Sequence, residues 1–88
     1  MFSSALLLFC CFSKGLLYAI GGFDGTSRLR TTEVYNPKVG KWMTVAPMIC
    51  RRSAAGAAAY DGCLYVCGGF DGQTSLRTCE MYIPEQNT

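Results

Sequence analysis

The sequence predicts an all-β fold, a partial propeller of about two incomplete four-stranded antiparallel blades. Three observations carry that prediction. Residues 17–37 lie over residues 64–84 at a constant offset of 47 without a gap, and thirteen of the twenty-one positions are identical. A period of roughly 40–50 residues belongs to solenoids and propellers. No stretch sustains the i, i+3, i+4 apolar spacing of a helix, whereas short apolar or alternating runs recur between glycine and proline breakers. The 88 residues are 50% hydrophobic and only 16% charged, a globular composition that excludes a disordered tail or a collagen-like chain.

The elements follow in chain order. Residues 1–14 open with an apolar stretch and are expected to form an irregular leader outside the repeat. Lys14 and Gly15 interrupt it well before the ~20 apolar residues of a membrane span. A secretory leader is the alternative, but the stretch has no basic residue ahead of it and no small-x-small cleavage site. Residues 15–49 form a first repeat that is expected to lack its inner strand. Its strands are read at 16–20, ended by Gly21-Gly22, at 32–35, ended by Asn36-Pro37, and at 41–45 around Trp42. Residues 50–88 form a second repeat expected to lack its outer strand, with strands over 53–60, 63–67 and 78–82. The Ala/Gly-rich run at 54–59 is small enough to line a central channel, and Asp61-Gly62 reads as its hairpin turn. Six strands in two sheets result. The runs before the Gly-Gly pairs are wholly apolar, as in strands buried on both faces.

Charge and cysteine content narrow the chemistry. A net charge of +2 gives no polyanion-binding surplus, and the chain has no histidine, the commonest general base and metal ligand. Nucleic-acid binding and membrane insertion are not expected. The six cysteines, at 10, 11, 50, 63, 67 and 79, include no C-x-x-C pair. Cys63 and Cys67 sit on one strand about 13 Å apart at ~3.3 Å per residue, too far to bridge each other. The cysteines are therefore read as small buried hydrophobes in a reducing compartment rather than as a disulfide framework.

The recurring frame resembles the kelch repeat: an Arg-Ser start, an apolar strand closed by Gly21-Gly22 or Gly68-Gly69, then Glu33-x-Tyr35 or Glu80-x-Tyr82, then Trp42. The Phe-Asp-Gly after each doublet and the Arg51-Arg52-Ser53 segment are most similar to the kelch-like proteins, which join BTB and BACK domains to a kelch propeller. That resemblance implies a protein-interaction module, a fragment of the substrate-recognition propeller of a cullin-3 ubiquitin-ligase adaptor in the cytoplasm. Contact with cullin-3 would run only through BTB and BACK domains, which these residues do not contain. It further implies a partner surface at the residue after each Gly-Gly, the residue five positions on, and the Arg-Ser pair. In this sequence these are Phe23 and Arg28, Phe70 and Ser75, and Arg52, Ser53 and Ala54. Arginine there suits an acidic protein or peptide, because its planar donors grip a carboxylate bidentately. An actin-binding kelch fragment and the remnant of a propeller-scaffold enzyme are the alternative functions. Two blades without neighbours also leave aromatic faces open to self-association.

No catalytic, cofactor or metal site is expected. Asp24 and Asp71 lie in Gly-Phe-Asp-Gly turns, where a short carboxylate bonds neighbouring amides, and the further acids of a calcium loop are missing. Glu33 and Glu80 recur at the same repeat position, which favours a structural hydrogen bond over acid–base work. Gly21-Gly22 does not extend to the G-x-G-x-x-G of a phosphate loop.

Overall fold

A computed structural model of the chain describes residues 9–88. The first sheet contains β1 (Phe9–Ser13), β2 (Leu16–Phe23), β3 (Arg28–Asn36) and β4 (Lys41–Val45), paired antiparallel in that order. The second contains β5 (Gly56–Tyr60), β6 (Cys63–Cys67) and β7 (Cys79–Tyr82), likewise antiparallel and in order. Among the described residues there is no helix, and so none that could cross a membrane.

Among the described residues seven strands form where six were expected, and two strand boundaries differ from the expectation. The expected leader is not wholly irregular, because residues 9–13 form β1 and give the first sheet its inner strand; residues 1–8 lie outside the described residues. The cause is local. Lys14 and Gly15 both have positive φ, 50° and 79°, and close a two-residue turn between Ser13 and Leu16. Such left-handed pairs match the twist of the strands they join. Asp61 and Gly62, with φ of 52° and 79°, make the same turn one repeat later, between Tyr60 and Cys63. The Ala/Gly-rich inner strand starts later than expected, at Gly56, because Ala54 adopts a φ of 57° that no strand accommodates.

The core lies between the sheets. Tyr18, Ile20 and Val34 of the first pack toward Ala55, Leu64 and Val66 of the second, and Met48 closes the seam from the connecting segment. The Tyr18 and Tyr82 rings meet edge-on with centroids 6.1 Å apart. Residues 18–22 of β2 are buried without interruption. In β6, by contrast, Leu64 and Val66 are buried while Tyr65 and Cys67 are exposed, so this strand covers one face only. The expectation of a strand buried on both faces fails there because, among the described residues, no element packs on the outer side of the second sheet. The inner strands β1 and β5 lie side by side, the convergence that a propeller channel requires.

A connecting segment ties the sheets together before β5 begins. Met48 N–H donates to the Arg30 carbonyl at 2.7 Å, Arg52 N–H to Leu29 at 2.9 Å, and Gly22 N–H to the Arg52 carbonyl at 2.8 Å. One residue later the chain changes partners. Ser53 and Phe70 exchange two backbone bonds of 2.9 Å each.

Candidate functional site

Arg52 joins the two blades and is not presented to a partner. Its backbone is bonded to the first sheet, and its guanidinium reaches into the second: Nη1 donates to the Gly68 and Thr78 carbonyls, Nη2 to Thr78 Oγ1, and Nε to Glu80 Oε2 at 3.1 Å. The side chain is 1% exposed. Glu80 completes the joint, taking the Ile49 and Cys50 amides at 2.7 and 3.0 Å. Burial pushes the Glu80 carboxyl up, but the two amides and the guanidinium outweigh it and hold it below the usual range. Ser53 is also buried and donates through Oγ to the Phe70 carbonyl. The expected partner contacts of Arg52 and Ser53 are thus corrected to structural ones, while Ala54 is exposed.

Close backbone approach at this joint explains two glycines. Gly21 has φ +64°, and a Cβ there would run into the Arg52 carbonyl oxygen. At Gly69, with φ +92°, a Cβ would sit 2.8 Å from the Ser53 carbonyl oxygen. The partner residues of each doublet are used differently: Gly22 donates to Arg52, and Gly68 accepts from it. Glu33 lies on β3 between Ala19 and Thr44, and the Tyr35 ring stacks at a tilt on Trp42 with centroids 5.1 Å apart.

Phe23, Arg28 and Phe70 come together on one face. The Arg28 guanidinium carbon lies 4.1 Å from the centre of the Phe23 ring and 5.0 Å from that of Phe70, so one aromatic from each blade flanks a single cation. Phe23 and Arg28 face each other across β2 and β3, while Phe70 is fixed by bridges to Ser53 and Ser75. Ser75 is exposed beside them. Among the described residues Arg28 forms no ion pair and donates no side-chain hydrogen bond, and its Nε is buried without a partner.

Beside Arg28 opens a cleft of about 400 Å³, lined by Thr26, Ser27, Arg51, Asp71, Gly72 and Gln73. Arg51 is anchored through Nη1 to the Arg28 carbonyl at 2.9 Å. The two aspartates shape the loops: Asp24 Oδ1 accepts the amides of Thr26 and Ser27, and Asp71 Oδ1 those of Gln73 and Thr74. The Ser27 and Thr26 amides hold the Asp24 carboxyl below the ordinary range, and those of Thr74 and Gln73 do the same for Asp71. Arg51, Asp71 and Gln73 escape a position-by-position reading of the sequence. Their signal is their place in the loops that flank Phe23 and Phe70. Among the described residues no group of three acidic or cysteine side chains could hold a metal.

The kelch motif matches residues 9–49 and again residues 51–88. The chain belongs to the kelch-repeat family. The first match includes β1, in agreement with a first blade that has its inner strand. Mouse kelch-like protein 35 is 45% identical over 49 residues, which is 56% of this chain and 8% of the relative. Human kelch-like protein 6 is 37% identical over 46 residues, 52% of this chain and 7% of the relative. A kelch repeat and BTB domain-containing protein of Caenorhabditis elegans is 36% identical over 50 residues, 57% of this chain and 9% of that protein. The matched stretch therefore covers less than a tenth of each of these curated relatives. Residues 15–22 and 64–69 also resemble kelch-like protein 18, but the matches show the family and not that member.

Proposed function

We propose that this kelch-repeat chain is a protein-recognition piece of a propeller and that it takes an acidic peptide segment on the face formed by Phe23, Arg28 and Phe70, with Ser75 and Ala54 at its margin. One observation carries this reading: Arg28, flanked by two aromatic rings, has no anionic partner among the described residues. A guanidinium held in place by packing loses little freedom on binding, and its donors fit a carboxylate in a bidentate pair. Arg51 adds a second positive charge across the cleft. Asp71, kept ionised by its amide bonds, sets where along the peptide a carboxylate is tolerated.

The family resemblance extends the proposal to the whole protein from which such a module comes: a substrate-recognition propeller of a cytoplasmic cullin-3 ubiquitin-ligase adaptor, without enzymatic chemistry of its own. Cullin-3 would be contacted by BTB and BACK domains and not by these residues. Titration with a synthetic Glu-rich decapeptide and its Gln counterpart tests the recognition step. Arg28→Ala should weaken the Glu peptide by ~1–3 kcal/mol and leave the Gln peptide unchanged. Identical titration curves for the wild type and Arg28→Ala would remove the face from consideration.

A further inference from the structure

Cys67 and Cys79 stand directly opposite each other where the β6–β7 ladder ends, with Cα atoms 4.0 Å apart and the sulfurs bonded as a disulfide. The expectation that no cysteine pair is bridged is thereby corrected. Gly68 N–H donates to the Thr78 carbonyl, so the next pair along is hydrogen-bonded and Cys67–Cys79 is the closer, non-hydrogen-bonded kind, whose side chains approach most nearly. The crosslink encloses residues 68–78. That loop carries Phe70, Asp71 and Ser75, and it contributes the Gly68 and Thr78 carbonyls that receive Arg52.

The blade itself does not need this bond. In the first repeat the same register is occupied by Ile20 and Thr32, and there the ladder runs on to Phe23 and Arg28 without a crosslink. In the second, the ladder stops at Cys67–Cys79 and resumes only as the isolated bridge between Phe70 and Ser75. Both cysteines are exposed, hence open to attack by a small thiol.

We infer that the Cys67–Cys79 disulfide is a redox latch that holds the 68–78 loop, and with it Phe70, against Arg28; the inference rests on the recognition face proposed above. Opening it uses a glutathione-type thiol. The thiolate attacks one sulfur, the protein S–S bond breaks and a mixed disulfide forms. A second thiolate then attacks the sulfur of the first and expels the protein sulfur bonded to it, the two protein sulfurs take up protons, and the reductant leaves as its own disulfide. A glutathione-type disulfide reverses the sequence. Exposed disulfides of this kind in reducing compartments are characteristically transient and regulatory.

The test uses the full chain before and after mild thiol reduction, together with a variant carrying Cys67→Ile and Cys79→Thr, the pair found in the first repeat. In the unreduced protein, alkylation should reach the four cysteines at 10, 11, 50 and 63 but not 67 and 79, and peptide mapping should recover the crosslink. Reduction should speed hydrogen exchange across residues 68–78 by about a hundredfold, the factor expected on opening a loop of about a dozen residues, while β2 and β3 stay protected. It should also weaken the Glu-rich decapeptide about two- to fivefold, the worth of one cation–π contact. The double variant should show no response to reductant. Alkylation of both cysteines before reduction, unchanged exchange after it, or a redox response that persists in the double variant overturns the latch. Exchange that responds while a measurable peptide affinity does not overturns its regulatory role. A peptide that binds in neither state overturns the recognition reading and the regulation built on it, and loop exchange then judges the latch alone.

Discussion

Replacing Arg52 by alanine removes the side chain that holds the second blade to the first. Its four hydrogen bonds to Gly68, Thr78 and Glu80 go with it. Breaking a buried ion pair from one side costs about 3–5 kcal/mol, because the surviving charge stays buried without its partner. Glu80 retains the amides of Ile49 and Cys50, which places the loss at the lower end, ~3 kcal/mol. At roughly 0.05–0.15 kcal/mol per residue, a chain of this length has about 4–13 kcal/mol in total. The substitution thus removes a quarter or more of the stability. Urea unfolding followed by tryptophan fluorescence reports it through Trp42. With a slope of about 1–1.5 kcal/mol per molar for so small a chain, the midpoint should fall by roughly 2–3 M. Arg51→Ala is the control, since Arg51 is exposed and makes one bond to a carbonyl. It should stay within about 0.5 kcal/mol of the wild type. Equal midpoints for the two variants would refute the assignment of Arg52 to the joint and return it to the binding face.

Three further outcomes follow from the same geometry. Gly21→Ala should cost about 3 kcal/mol or more, because it adds a backbone collision to left-handed strain, whereas Gly25→Ala, with φ +98° but open space around it, should cost only the ~1–2 kcal/mol of strain; comparing the two by thermal unfolding isolates the collision. The Glu80 carboxyl is lowered from its model-compound value of 4.5, so the stability it contributes is complete above about pH 4.5 and is lost as pH falls through the lower folded value. Urea midpoints measured from pH 7 to pH 3 should show that acid loss shrinking in Glu80→Gln, with the remainder due to Asp24 and Asp71, whose shifts have the same sign. Val39, in the turn before β4, and Met43 on β4 are 61% and 63% exposed, and β7 ends its sheet among the described residues, so sedimentation at several concentrations should show self-association; a single monodisperse monomer throughout would contradict unpartnered blade faces.

The repeat made the blades legible, and the limits of the reading have physical causes. The strands at 41–45 and 63–67 are found at those positions because turns and breakers bound them on both sides. β1 was readable but missed: moving Lys14-Gly15 forward by one repeat places it on Asp61-Gly62, and residues 9–13 on 56–60. Hydrophobicity alone drew those residues toward a leader. That Arg52 and not Arg51 enters the joint was not legible, because adjacent residues of the same type differ only in which carbonyls, 16 and 26 residues away, meet the side chain. The disulfide was hidden for a similar reason. Spacing along one strand sets Cys67 against Cys63, while its partner Cys79 lies across the hairpin in a register that the strand pairing fixes. The aromatic and cationic components of the face were legible one by one, but not the enclosure of Arg28 by rings from two blades.

The most direct test of the recognition face is amide chemical-shift mapping of the oxidised chain during titration with the Glu-rich decapeptide. Perturbations should cluster at Phe23, Thr26, Ser27, Arg28 and Arg51 and across residues 70–75, and vanish in Arg28→Ala. Perturbations confined to the inter-sheet seam around Met48, Ile49 and Tyr82, or none at peptide concentrations approaching a millimolar Kd, would contradict it.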